Sequence, residues 1–480
     1  MFLGIDIGTS GVKAVLLDKH GQLRAQATAP LTVSRPHRLW SEQDPAVWWA
    51  ATDAAVRLLD AKLRVRVQGI GLAGQMHGAT LLGMDDRPLR PAILWNDGRS
   101  FAECAELEQV EPRSRTITGN LAMPGFTAPK LLWLKHHEPE IFAAVETVLL
   151  PKDYVRLCMT GDKASDLADS AGTLWLDVSA RGWSEAMLAA TGLTSAQMPS
   201  LYEGTAVTGR LRTTVAHDWG MDAVPVAAGG GDNAAGAAGV GVVRDGDALL
   251  SLGTSGVIFV ATDRFRPNPA RAVHAFCHSL PGMWHQMSVH LSAAVCIDWA
   301  TQLLNLSGPA QVFSLAEAAG SAAGDELFLP YLSGERTPHN DPHVRGSFLG
   351  LANETNGDRL AAAVLEGVAF AHADGVAALR EAGTRIDALS VIGGGARSRY
   401  WGTIIAAALD VRLDYIEGGE VGPALGAAKL AMIATAGMSV AEACARPRVT
   451  DIIAPDAALA ERLAPKLATF RRAYAAIRDL

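Results

Sequence analysis

The sequence predicts an α/β protein made of two related halves facing a central cleft, and three observations lead there. Ile5-Asp6-Ile7-Gly8-Thr9-Ser10-Gly11-Val12-Lys13-Ala14-Val15 recurs about half a chain later as Leu250-Ser251-Leu252-Gly253-Thr254-Ser255-Gly256-Val257-Ile258-Phe259-Val260. Each half alternates β-type apolar runs with Ala-rich stretches of helical period. The stretch 229–247, Gly-rich and then Ala-rich, separates the copies without a low-complexity linker, so the halves, 1–240 and 241–480, touch closely. With 480 residues, 49% hydrophobic and 19% charged, the chain has a sizeable interior, which excludes disorder, collagen and coiled coil as the main architecture.

Each copy of the repeat is an apolar run, a Gly-Thr-Ser-Gly turn and a second apolar run, the pattern of a hairpin with a glycine-rich turn. Such a turn offers backbone N–H groups and two hydroxyls with no bulk in the way, which suits a polyphosphate. Asp6 stands just before the first turn, where a carboxylate is suited either to Mg²⁺ beside bound phosphates or to satisfying the turn's own N–H groups. The second copy has Ser251 there, so one half alone carries that charge.

Helices are expected over 46–60 and 129–144 and strands over 65–73 and 79–84 in the first half. In the second half, helices are expected over 288–304, 358–382, 400–409 and 423–437 and a strand over 388–393. Gly69-Ile70-Gly71-Leu72-Ala73-Gly74 spells G-x-G-x-x-G but leads into another β-type run where a dinucleotide site requires a helix, and no Gly-Lys dipeptide exists to make a P-loop. Met76-His77 and Trp95-Asn96-Asp97-Gly98-Arg99 are polar clusters suited to hydrogen-bonding a polyol or to ordinary surface turns. Gly229-Gly230-Gly231-Asp232-Asn233 puts a carboxylate after a glycine run and before an Ala-rich helix, so Asp232 reads either as a general base for a substrate hydroxyl or as an N-cap. Gly393-Gly394-Gly395-Ala396 ends an apolar strand and lets a nucleotide approach the backbone. His274, His278, His285 and His290 follow no recognised metal-ligand spacing.

A net charge of −8 with scattered basic residues argues against nucleic acid as the main partner. Five cysteines, at 104, 158, 277, 296 and 444, form no C-x-x-C pair and fit a reducing cytoplasm. The opening Met1-Phe2-Leu3-Gly4-Ile5-Asp6 lacks a basic region, and stretches such as 423–437, interrupted by Lys429, fall short of the ~18 apolar residues a membrane span needs. A soluble protein is expected.

Taken together, Asp6-Ile7-Gly8-Thr9-Ser10, the Gly229–Gly236 segment, Gly253-Thr254-Ser255-Gly256, Gly393-Gly394-Gly395-Ala396 and Gly346-Ser347-Phe348-Leu349-Gly350-Leu351 resemble the FGGY family of carbohydrate kinases, of the actin-like ATPase (ribonuclease H-like) fold. Arg359 departs from the residue usual in that family's C-terminal signature. Gly74-Gln75-Met76-His77-Gly78, Trp95–Arg99, Leu150-Pro151-Lys152-Asp153-Tyr154 and Tyr331–Pro338 are most similar to the members that phosphorylate D-xylulose, and Met76-His77 stands where glycerol-specific members carry Arg-Glu. The resemblance implies ATP and Mg²⁺ as cofactors and a small-molecule sugar as substrate, and it allows a homodimer. It implies Asp232 as proton acceptor, Asp6 in phosphate and metal handling, and Met76, His77, Asp232 and Asn233 on the sugar, which sits deep against the first half. Thr9, Ser10, Lys13, Gly253, Thr254, Gly394, Gly395 and Ala396 would contact the nucleotide. A kinase for another ketose or polyol, or an actin-like protein using ATP as a conformational switch, shares much of this pattern.

Overall fold

The computed structural model describes residues 1–417 and 422–478. The chain opens with the hairpin β1 (Phe2–Ile7) and β2 (Gly11–Leu17), followed by β3 (Leu23–Pro30). Helix α1 (Pro45–Leu58) starts on a proline behind Asp44, whose side chain accepts the Ala46 N–H, and buries Trp48, Thr52 and Val56 at helical spacing. Next come β4 (Gly69–Gly74), α2 (Thr127–His137), α3 (Pro151–Thr160), β5 (Val207–Arg210), β6 (Pro225–Ala227) and β7 (Gly230–Gly231). The helix expected over 129–144 is two pieces, because Glu138 leaves helical geometry and Pro139 begins the short second piece. The seven strands form one sheet in the order β5-β6-β4-β1-β2-β3, with β7 also paired to β4.

Helix α4 (Asp232–Gly239) leads into the second half, which runs β8 (Ala248–Leu252), β9 (Gly256–Thr262), β10 (His274–Cys277), β11 (Trp284–His290), α5 (Val295–Leu303), α6 (Gly357–Glu381), β12 (Ala388–Ile392), α7 (Arg399–Leu409), β13 (Arg412–Ile416), α8 (Pro423–Ala436), β14 (Val449–Ile453) and α9 (Ala457–Ile477). Its sheet has the order β10-β11-β9-β8-β12-β13-β14. The helix expected over 288–304 begins only at Val295; before it, Met287 and Val289 alternate with Ser288 and His290 along β11, a period of two that belongs to a strand.

The repeat is one of topology as well as sequence. β1 pairs antiparallel with β2 and parallel with β4, and β8 pairs antiparallel with β9 and parallel with β12. The copies differ by one residue at the turn: residues 8–11 separate the paired Ile7 and Val12, whereas only 253–255 separate Leu252 and Gly256. Helix α6 is long and apolar enough to cross a membrane by length and composition, but 89% of its apolar window is buried within the protein. Its buried Glu366 and Asp374 are paired with Lys466 and Arg471 of α9 at 2.5 and 2.6 Å.

Helix α8 belongs to the second half in sequence but packs on the first sheet. A Cβ on Gly4 would lie 2.0 Å from the Ala424 carbonyl oxygen, one on Gly71 1.9 Å from that of Ala427, and one on Gly426 1.7 Å from that of Ala235 in α4. Gly71, and Gly69, whose Cβ would lie 2.3 Å from Thr435 Oγ1, therefore admit this helix, and the strand that carries them is buried throughout. Because backbone atoms cannot yield as a flexible side chain would, Gly71→Ala and Gly426→Ala should each cost about 3 kcal/mol of stability. Gly394→Ala, whose Cβ would meet nothing within 4 Å, should stay within about 0.5 kcal/mol of the parent. Urea unfolding followed by circular dichroism checks all three.

Candidate active site

Strand register brings the two expected carboxylates together. Asp6 on β1 lies opposite Ala73 on β4, and Ala73 lies opposite Gly230 on β7, so Asp232, the first residue of α4, emerges at the same sheet end. Gly231 occupies the N-cap position and Asp232 makes no cap. Burial pushes the Asp6 carboxyl up to about 7; the Asp232 charge adds to the rise and Lys13, opposite Asp6 on β2, works against it. Burial likewise pushes Asp232 up to about 6, against two opposing hydrogen bonds from Asn233. The Asn233 backbone N–H and Nδ2 donate to Oδ1 of Asp232 at 2.7 and 2.8 Å. Among the described residues Oδ2 has no hydrogen-bond partner, and Asp232 lies on the wall of a cavity of about 330 Å³.

That cavity gathers all four residues expected to touch the sugar, Met76, His77, Asp232 and Asn233, together with Trp95. Both halves wall the cavity, the second supplying Ser251, Ser255, His274, Phe276, Met287 and Arg336. His77 sits at φ 68°, a strained conformation for a residue with a Cβ. It is held there by its carbonyl, which accepts from Lys130 Nζ at 2.8 Å and Thr127 Oγ1 at 3.2 Å. Nδ1 lies 2.6 Å from the Gly172 carbonyl and so carries the proton, which makes Nε2 an acceptor. Burial, then the Lys130 charge, takes the ring down to about 3, so it is neutral at ordinary pH.

Around the first turn, the Thr9 hydroxyl donates to Gln75 Oε1 at 2.8 Å and accepts from Trp95 Nε1 at 3.0 Å. Gln43 closes this network, donating to the Thr9 carbonyl and accepting from Gln75 and Trp48. The Thr9 side chain is thus tied within the protein, while Ser10 is exposed. In the second half, the Gly253 and Thr254 carbonyls accept the Ala294 and Ala293 N–H groups ahead of α5 at 2.8 and 2.9 Å, leaving the Thr254 side chain exposed. The 394–396 loop is pressed against the same place. Cβ atoms on Gly393 and Gly395 would lie 2.7 and 2.8 Å from Leu252, and Gly393 has φ 91°, whereas Gly394 faces open space and Ala396 is half-buried.

Met123, Phe126, Phe276, Met287 and Arg336 also line the cavity and escaped sequence reasoning as ligand contacts. The alternation of Met287 and Val289 was the one local signal for part of this wall. Asp6 Oδ1 is buried without a hydrogen-bond partner, and among the described residues no group of three His, Cys, Asp or Glu side chains is placed to cage an ion. A lone carboxylate oxygen of this kind fits Mg²⁺, which is commonly held by one or two carboxylates together with substrate phosphates.

The model of the FGGY family of carbohydrate kinases matches in both its parts, the N-terminal domain over residues 1–239 and the C-terminal domain over 248–435. The chain belongs to the FGGY family of carbohydrate kinases. Among curated relatives, it is 54% identical to the xylulose kinase of Escherichia coli (strain K12), covering 99% of this chain and 98% of that one. It is 55% identical to the xylulose kinase of Klebsiella pneumoniae over 90% of each. The crystal structure of a "xyloylose kinase" from Brucella ovis superimposes with a TM-score of 0.94 at 49% identity, covering 100% of this chain and 99% of that one. A Plasmodium falciparum glycerol kinase with ADP shares this FGGY kinase fold, with a TM-score of 0.89 at 17% identity over 98% and 97%.

The paired carboxylates make a stability signature. A carboxyl raised in the folded state favours the fold while it is protonated, and that contribution is lost as pH climbs from about 4 toward 6–7. Asp6→Asn and Asp232→Asn should therefore each raise stability at pH 8 by on the order of 1 kcal/mol, seen as a higher melting temperature, and leave it unchanged at pH 4. Thermal scans at the two pH values read this directly.

Proposed function

We propose that the protein transfers the γ-phosphoryl group of ATP to the C5 hydroxyl of D-xylulose, giving D-xylulose 5-phosphate and ADP. The observation that carries the reading is the Asp232 carboxylate, with Oδ1 fixed by Asn233 and Oδ2 open to the cavity beside Met76 and His77. It is supported by the near-full-length likeness to proteins named xylulose kinase.

In this reading Oδ2 of Asp232 takes the proton of the C5 hydroxyl as that oxygen attacks the γ-phosphorus and the bond to the bridging oxygen of ADP breaks. Met76, Asn233 and the neutral His77, with Nε2 as acceptor, orient the sugar. Residues 1–240 form the sugar side and 241–480 the nucleotide side. Thr9 and Ser10 offer backbone N–H groups to the phosphates, with Lys13 beside them, and Gly253, Thr254, Gly394, Gly395 and Ala396 hold the nucleotide from the other side. Asp6 would hold Mg²⁺, and the ion would supply neutralisation of charge on the phosphate oxygens. Closure of the two halves keeps water from the γ-phosphate, so ATP hydrolysis without sugar is slow. The protein acts in the cytoplasm, as a monomer or homodimer, with neither nucleic acid nor membrane as partner.

ADP release from Mg-ATP, measured with D-xylulose, D-ribulose, L-ribulose, L-xylulose, glycerol and no sugar, tests this. Release should depend on sugar and favour D-xylulose; preference for another polyol would move the substrate, and sugar-independent release would return the protein to a conformational switch. Asp232→Asn should lower kcat by about 10²–10⁴-fold. kcat/KM should fall on the acid side below about pH 7, where the Asp6–Asp232 pair takes up protons.

A further inference from the structure

Arg336 reaches the cavity from the second half and has little to do within the protein. Among the described residues, its one side-chain hydrogen bond links Nη1 to His274 Nε2, at a long 3.4 Å. The nearest acid in sequence, Glu335, is engaged elsewhere: Oε1 accepts the Leu291 and Arg336 backbone N–H groups at 3.0 and 2.7 Å, and Oε2 lies 3.3 Å from His290 Nδ1. Among the described residues the other guanidinium nitrogens have no hydrogen-bond partner, and Arg336 is part of the cavity wall. Met76, Met123, Phe126, Phe276 and Met287 supply much of the surrounding wall. A cation held among apolar side chains with free N–H groups lacks an acceptor that a ligand can bring.

The segment that carries it is fixed. The Thr337 N–H donates to the Val289 carbonyl and the Val289 N–H to Thr337 Oγ1, both at 3.0 Å, and Thr337 Oγ1 donates to the Ala272 carbonyl at 3.0 Å. Glu335 and Asp341 exchange backbone hydrogen bonds at 2.8 Å. Position along the cavity follows from packing: Arg336 Nη1 reaches His274, whose ring packs against Phe126 and Phe276 with centroids 5.5 Å apart in each case, and the same two rings pack against His77 at 4.8 and 6.3 Å. Arg336 therefore stands at the His77 end.

We infer that Arg336 is a specificity-determining residue that donates to the C2 ketone oxygen of the sugar and selects ketoses over alditols of equal length. This rests on the ketose-kinase reading above. With the C5 hydroxyl on Asp232, an open five-carbon chain sends C2 and C1 toward the other end of the cavity. The ketone is a planar, purely accepting group, and guanidinium is a planar, purely donating one. An alditol brings a tetrahedral carbinol there, with its oxygen out of that plane and a proton of its own to place. Sites built to hydrogen-bond one substrate group reject analogues that lack it because their own donors are then left unpaired.

The test compares wild type, Arg336→Met and Arg336→Lys for KM and kcat with D-xylulose, KM for ATP, the inhibition constant of xylitol, and turnover of D-xylonate. Arg336→Met should raise the D-xylulose KM by about 30-fold while changing the xylitol inhibition constant less than about threefold and leaving the ATP KM and melting temperature unchanged; Arg336→Lys should recover most of the loss. An unchanged D-xylulose KM, or equal losses for D-xylulose and xylitol, would overturn the assignment, as would wild-type preference for D-xylonate, which would give the cation to a carboxylate. Wild-type enzyme without D-xylulose-dependent ADP release would defeat the ketose-kinase reading itself, whereas an active wild type with an indifferent Arg336→Met defeats only this inference.

Discussion

Side chains ordinarily hold two packed helices 8–10 Å apart. Helix α8 comes closer than side chains allow on two of its faces, because Gly4 and Gly71 remove the Cβ atoms from the sheet beneath it and its own Gly426 admits the backbone of α4. Much of the site's geometry depends on this contact. α4 carries Asp232 at its first residue and β1 carries Asp6, so the helix that clamps both ties the carboxylate pair to the half that contains the 253–255 turn and the 394–396 loop.

A second layer of constraint lies under the Met76–His77 end of the cavity. Lys152 Nζ on α3 is 2.6 Å from Asp153 and Asp166 and 3.2 Å from Asp169, all fully buried. A Cβ on Gly74 would lie 3.0 Å from that of Lys152, so this cluster supports the strand end from which Gln75, Met76 and His77 emerge. Asp166 also caps the short helix Leu167–Ala171 through the Ala168 and Asp169 N–H groups, and this helix delivers Gly172 to His77 Nδ1. Burial raises the Asp169 carboxyl well above its ordinary range, against the pull of Lys152. The cluster costs desolvation to build and is poor at adding stability; what it does is hold a strained His77 in one place, with one tautomer.

The parts of this arrangement that were legible in the sequence are those in which chemistry and local pattern coincide. The two Gly-Thr-Ser-Gly turns sit between apolar runs, and Asp6 and the glycine-led Asp232 stand at their strand ends, so type and position could be read together. The cavity's second wall was not legible in that way. Arg336 meets His274 across a separation of 62 residues, and neither segment has a periodicity that announces a ligand. The 288–304 segment misled because its Ala-rich second part is helical and its first part is not, and the strand alternation over Trp284–His290 is masked by polar residues buried on the far face, Ser288 and His290 among them. Two of the glycines of 69–74, Gly69 and Gly71, make room for a helix from far downstream in the chain, a tertiary fact with no local trace.

The duplicated topology sets two chemically unlike strand ends in equivalent places. β4 and β12 occupy the same place beside the first strand of their hairpins, and the residues just beyond the two strands differ in kind. After β12 come glycines, two of them required by contact with Leu252 and the third facing open space, so the bare backbone forms the surface there. After β4 come Gln75, Met76 and His77; Gln75 is fixed to Thr9 and Gln43, and His77 to Gly172. Phosphates are recognised well by bare N–H groups, which need no side chain and leave room for close approach. A neutral polyhydroxylated molecule offers no charge to attract such groups and must be read by side chains set at particular positions. The same strand end can do one or the other, since glycine at 76 or 77 would remove the reader and a side chain at 394 would obstruct the backbone. Asymmetry between the repeats is therefore what a transfer reaction between two unlike molecules requires of a symmetric scaffold.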